Sequence, residues 1–66
     1  RTHFQIECTN EGRIVLLSFD GKYILEQKVN RGLNTILLNK LSSGIYYVLI
    51  YIDSESYSTK LVVYNL

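Results

Sequence analysis

Residues 41–50 read LSSGIYYVLI, and the fold turns on how their second half is placed. Leu41-Ser42-Ser43-Gly44 carries turn chemistry, because Ser competes for backbone hydrogen bonds and Gly accepts backbone angles that other residues avoid. Ile45 to Ile50 is apolar at every position and consists of β-branched, aromatic and aliphatic residues. Short and bounded by a turn, such a run reads as a strand. Side chains alternate between the two faces of a strand, so Tyr46, Val48 and Ile50 share one side and Tyr47, Leu49 and Tyr51 the other. A strand with one face in a core and one in water alternates apolar with polar. This one is apolar on both sides, and both sides need an explanation.

Working outward, the same punctuation recurs. Asn10-Glu11-Gly12, Asp20-Gly21, Asn30-Arg31-Gly32 and Ser42-Ser43-Gly44 each separate apolar runs, and Asp53-Ser54-Glu55-Ser56 is a polar break without Gly. The spacing predicts six strands, over 3–8, 13–19, 22–29, 33–38, 45–53 and 57–64, with Asp20-Gly21 as a hairpin turn. Phe4, Ile6 and Cys8 share a face opposite Gln5 and Glu7; Leu33, Thr35 and Leu37 alternate with Asn34, Ile36 and Leu38. No stretch keeps a helical period. The chain is therefore all-β, and short strands with turns roughly every 8–12 residues indicate a sandwich or barrel.

Composition narrows function by exclusion. The chain has 66 residues, enough for one domain. A 47% hydrophobic content is too high for a disordered chain. Seven basic residues against six acidic give a net charge of +1, too little to concentrate a nucleic acid. No apolar run is long enough to span a bilayer as a helix, so no direct membrane insertion is expected. Cys8 is the single cysteine, which excludes an internal disulfide and a cysteine-rich zinc site.

Candidate chemistry is thin. His3 is the single histidine and lies near a terminus; Glu11, Asp20 and Asp53 sit in or beside turns, where carboxylates favour water. No linked nucleophile, base and oxyanion donor can be assembled, so no catalytic residue, metal site or cofactor is expected. Cys8, on the face with Phe4 and Ile6, reads as a buried structural thiol. Tyr46, Tyr47, Tyr51, Tyr57 and Tyr64 cluster in the last two strands. Packing accounts for them best, with a ligand-stacking platform and a protein-contact face as alternatives.

The ordered segments FDGKYILEQKVNRGLNTILLNKLSSGIYYVLI, residues 19–50, and STKLVV, residues 58–63, resemble the C-terminal sorting domain of proteins exported by the type IX secretion system of Bacteroidota. The matching elements are Gly21-Lys22, Gly32 to Leu38, Leu41 to Val48 and Lys60 to Val63, covering roughly two-thirds of the chain. The sequence departs from the family at three points. Ser18 stands where Asp is common, Tyr64-Asn65-Leu66 stands where basic residues are common, and the Pro-Asn-Pro of the family's opening strand has no counterpart in a chain without proline. The resemblance implies a small Ig-like antiparallel β-sandwich of six to seven strands over residues 1–66, lacking that opening strand. It places Tyr46, Val48 and Ile50 in the core with Ile14, Leu16, Ile36 and Leu38, has Leu41 plug the base, and has Leu61 and Val63 close the second sheet.

The function implied is an address label. After transit through the periplasm, the outer-membrane translocon reads the domain, and a sortase-like peptidase cuts upstream of it as the cargo reaches the cell surface. The residues expected to be read are Gly44, Tyr46, Lys60, Leu61, Val62 and Val63. The outward parity leaves Val15, Leu17, Leu37, Tyr47, Leu49 and Tyr51 as an apolar contact face. Cover by another strand or the cargo, docking of the translocon, and a homodimer formed through this face or by strand exchange compete for it, with self-association favoured. The rival function is an Ig-like or fibronectin-like spacer or carbohydrate-binding module of a secreted protein.

Overall fold

Backbone alternation and five polar breaks produce six strands in a computed structural model that describes residues 3–38 and 41–64. They are β1 (His3–Cys8), β2 (Gly12–Ser18), β3 (Tyr23–Val29), β4 (Gly32–Leu37), β5 (Gly44–Ile52) and β6 (Glu55–Val63). All six expected strands form, and their ends move by no more than two residues. The expected bounds of the domain, residues 1 and 66, and the departures at Asn65 and Leu66 lie outside the described residues.

The strands make two antiparallel sheets, β1-β4 and β3-β2-β5-β6. The larger sheet is held by three registers, and these fix which side chains share a row. Ile14 lies between Gln27 and Ile50, and Leu16 between Leu25 and Val48. Both face inward, where Phe4, Ile6, Cys8 and Ile36 of the smaller sheet meet them. Ile14, Leu16, Val29, Ile36 and Val48 are fully buried. Each such side chain contributes about 1.5–3 kcal/mol relative to exposure. The result is a small β-sandwich. Val63 and Leu38 complete the core, with Leu41 and Leu61 packed against it as expected.

The smaller sheet covers the inner face unevenly. Gln27 on β3 donates to the Thr35 carbonyl on β4 (3.2 Å), which sets β4 on the β3 side. Asn10, just after β1, reaches Asp53 in the β5–β6 turn. The inward-facing residues toward β6, Tyr57 and Thr59, remain exposed beside half-buried Ile50.

Turns show how local chemistry sets the ends. The Gly21 N–H donates to the Ser18 carbonyl, and the Ser18 N–H donates to the Lys22 carbonyl at 2.8 Å, leaving the three-residue loop Phe19-Asp20-Gly21. Gly21 closes it at φ 87°, a left-handed angle that suits glycine. The tighter β5–β6 loop is Asp53-Ser54, and there a non-glycine residue, Asp53, takes φ 57°. Gly12 is a different case. It opens β2 rather than serving as a turn residue, and a Cβ there would come within 2.1 Å of the Tyr51 carbonyl oxygen. The two backbones could not approach this closely with any other residue.

Two stability predictions follow from these contacts. Gly12→Ala forces the β2–β5 backbones apart and should cost about 1–3 kcal/mol, the usual range for overpacking, read from chemical denaturation. Asp53→Val, a β-branched residue at a left-handed angle, should cost about 1–2 kcal/mol, whereas Asp53→Asn should stay close to the parent.

Candidate recognition surface

Because β2 and β5 are central strands, the outward face of the larger sheet is a ladder of four rows. Reading from β3 to β6, the first is Lys28-Arg13-Tyr51-Ser56 and the second Glu26-Val15-Leu49-Ser58. The third is Tyr23-Leu17-Tyr47-Lys60. The fourth pairs Ile45 with Val62. A register shift between Leu16 and Leu17 brings Tyr23 opposite Leu17, so its hydroxyl can donate to Glu26 Oε1 at 3.1 Å. The face grades from charged at one end to apolar at the other.

Five residues of the expected contact face, Val15, Leu17, Tyr47, Leu49 and Tyr51, do stand together here. Leu37 does not. It lies on the outside of the smaller sheet, opposite His3 and 56% exposed. The sheet change occurs between β3 and β4, at a corner where the Asn34 side chain accepts from the Asn30 N–H and donates to its carbonyl. Nor are the five equally available. Val15 is only 6% exposed. Around it, Arg13 lies 4.2 Å from the centre of the Tyr51 ring and 3.5 Å from the Glu26 carboxylate. Exposed contacts of this kind are individually weak, but the long side chains cover apolar surface.

The terminal-strand residues divide by the same parity. Tyr46, Leu61 and Val63 point inward; Tyr46 and Val63 are buried and Leu61 is half-buried. The Tyr46 hydroxyl donates to the Ser42 carbonyl at 2.8 Å, so its polar tip is satisfied and ties the 41–43 segment to β5. Lys60 and Val62 point outward and are exposed. Gly44 is the first residue of β5, paired with Val63, rather than part of the preceding turn.

Ser18 organises the turn between β2 and β3. Its hydroxyl accepts from the Lys22 N–H at 3.0 Å and donates to Asp20. That donated bond is the main reason the Asp20 carboxyl is held below its ordinary pKa. A depressed carboxyl stabilises the fold at neutral pH and loses that contribution as pH falls through its lowered value. Ser18→Ala should raise the Asp20 pKa toward the ordinary range, measured by carboxyl NMR titration; an unchanged titration would contradict this.

Among the described residues no group of three or more His, Cys, Asp and Glu is placed to hold a metal ion. Cys8 is buried and free. No helix of the described residues is long and apolar enough to cross a membrane. One shallow surface depression among the described residues is lined by Ser18, Phe19, Asp20, Ser43, Gly44, Ile45 and Tyr46.

The sequence model of the secretion system C-terminal sorting domain matches residues 1–64. The chain belongs to that family, the sorting domains of type IX secretion. No curated protein and no solved structure matches it. Membership makes this a secretion sorting signal that engages the secretion system, with export to the cell surface or the medium as the outcome. Domains of this family are generally non-catalytic.

Proposed function

We propose that this sorting domain is a non-catalytic address read by the type IX outer-membrane translocon after transit through the periplasm. A sortase-like peptidase then removes it N-terminal to the sandwich, near or before Arg1, a stretch outside the described residues. The match over residues 1–64 carries this reading. The six-strand sandwich supports it, since a stable folded unit can present the same surface whatever cargo precedes it. The terminal strands contribute in two ways. Tyr46, Leu61 and Val63 hold the fold, while Gly44, Lys60 and Val62 lie on the surface that a receptor can reach.

The carbohydrate-platform reading receives less support. Tyr47 and Tyr51 share an outward column, but the Arg13 guanidinium already lies over the Tyr51 ring. A sugar would have to displace it.

Deleting residues 60–66 from a reporter carrying this chain removes the outer part of β6 and should trap the reporter in the periplasm. Cell fractionation with surface proteolysis measures it, and normal surface display of the truncated form would contradict the proposal.

A further inference from the structure

The loop between β2 and β3 holds a dipeptide that the sorting role leaves unused, Asp20-Gly21. Asp20 is the only aspartate or asparagine in the sequence that precedes a glycine. Both residues are exposed, and a Cβ built on Gly21 would meet nothing within 4 Å. An aspartyl side chain can cyclise onto the main-chain nitrogen of the residue that follows it. A side chain on that next residue crowds the attack, and glycine removes the obstacle.

The chemistry needs no oxidant and no enzyme. Gly21 N bonds to Asp20 Cγ, the OH of the carboxylic acid leaves, and the amide proton departs with it as water. The product is a five-membered cyclic imide. Water then adds to one of the two imide carbonyls. Opening on the side-chain carbonyl restores aspartate. Opening on the main-chain carbonyl leaves isoaspartate, whose backbone runs through Cβ and Cγ and is one CH2 longer.

In the folded turn Ser18 engages both reacting groups. The Gly21 N–H donates to the Ser18 carbonyl at 2.9 Å, which ties up the attacking nitrogen. The Ser18 hydroxyl donates to Asp20 Oδ1 and is itself fixed by accepting from the Lys22 N–H at 3.0 Å. A hydrogen bond donated to a carboxylate favours its ionised form. Asp20 is accordingly held below its ordinary pKa, chiefly by Ser18. The ionised carboxylate has no OH to release, so this contact keeps it in the unreactive form.

We propose that Asp20-Gly21 is a spontaneous modification site, converting to isoaspartate through the cyclic imide, and that the Ser18 hydroxyl restrains its rate in the folded domain. The added CH2 falls inside a three-residue loop whose ends are tied by the 2.8 Å Ser18–Lys22 bond. That loop closes the β2–β3 hairpin, so isoaspartate loosens one corner of the larger sheet. The proposal is independent of the sorting reading.

The test warms the purified 66-residue chain, Ser18→Ala and Ser18→Thr at neutral pH over several weeks, with and without concentrated urea. Trypsin then releases residues 14–22, in which Asp20 is the only acid. Mass spectrometry with electron-transfer fragmentation distinguishes the two isomers of that peptide. Isoaspartate should accumulate at Asp20 in the folded parent, and about two- to tenfold faster in Ser18→Ala, the range that one hydrogen bond accounts for. Ser18→Thr keeps the hydroxyl and should follow the parent. In urea the parent and Ser18→Ala should convert equally, because the contacts that separate them are gone. No isoaspartate at Asp20 in any sample overturns the site. Equal rates for the folded parent and Ser18→Ala overturn the restraint. So does Ser18→Thr converting as fast as Ser18→Ala, which would point to a loosened turn, or a difference that persists in urea. If Ser18→Ala does not fold, the folded parent is set against the parent in urea. Slower conversion in the folded form supports the restraint, and equal conversion overturns it.

Discussion

The pairing of β2 with β5 is the constraint on which the rest depends. It joins residues 12–18 to residues 46–52, strands far apart in the chain, and places each between two neighbours in the larger sheet. Once Leu16 faces Val48 and Ile14 faces Ile50, the inward set is determined, and so is the outward set one residue on. A slip of a single residue would send Ile14 and Leu16 to solvent. Gly12 anchors this register at one end, where the backbones come too close for any side chain.

That register also explains why β5 is apolar on both sides. Tyr46 and Val48 face the core and are buried. Tyr47 and Leu49 face outward, but as a central strand β5 has neighbours to cover part of that side. The outer face is consequently not one uniform patch. At one end Arg13 lies against the Tyr51 ring and pairs with Glu26; at the other, Val62 and Tyr23 are exposed. One strand therefore supports packing, self-coverage and exposure at successive positions.

Much of the fold was legible before any coordinates. Gly, Ser, Asn and Asp punctuation marked the strand breaks, and alternation in β1 correctly grouped Phe4, Ile6 and Cys8 on the buried side. Assignments that depend on which strands become neighbours were not legible. Leu37 has the same parity as the contact-face residues, but the corner at Asn30 and Arg31 carries it to the other sheet. Val15 is buried on the outward face between Glu26 and Leu49, neighbours that sequence spacing does not bring together. Gly12 resembled the turn glycines around it, and its close approach to Tyr51 comes from the pairing of β2 with β5, two strands lying between them in the chain. The family resemblance supplied a function that composition could not, and the match over residues 1–64 placed the chain in that family. The geometry of the outward rows sets which side chains of the larger sheet lie open to a receptor.

The most direct measurement of that geometry is site-specific photocrosslinking in cells that export the fusion. A photoreactive phenylalanine analogue placed at position 47 samples the apolar end of the larger sheet, and one at position 33 samples the outside of the smaller sheet. The account predicts adducts with an outer-membrane component of the secretion machinery from position 47 and none from position 33. Adducts from position 33 alone, or equally from both, would contradict it.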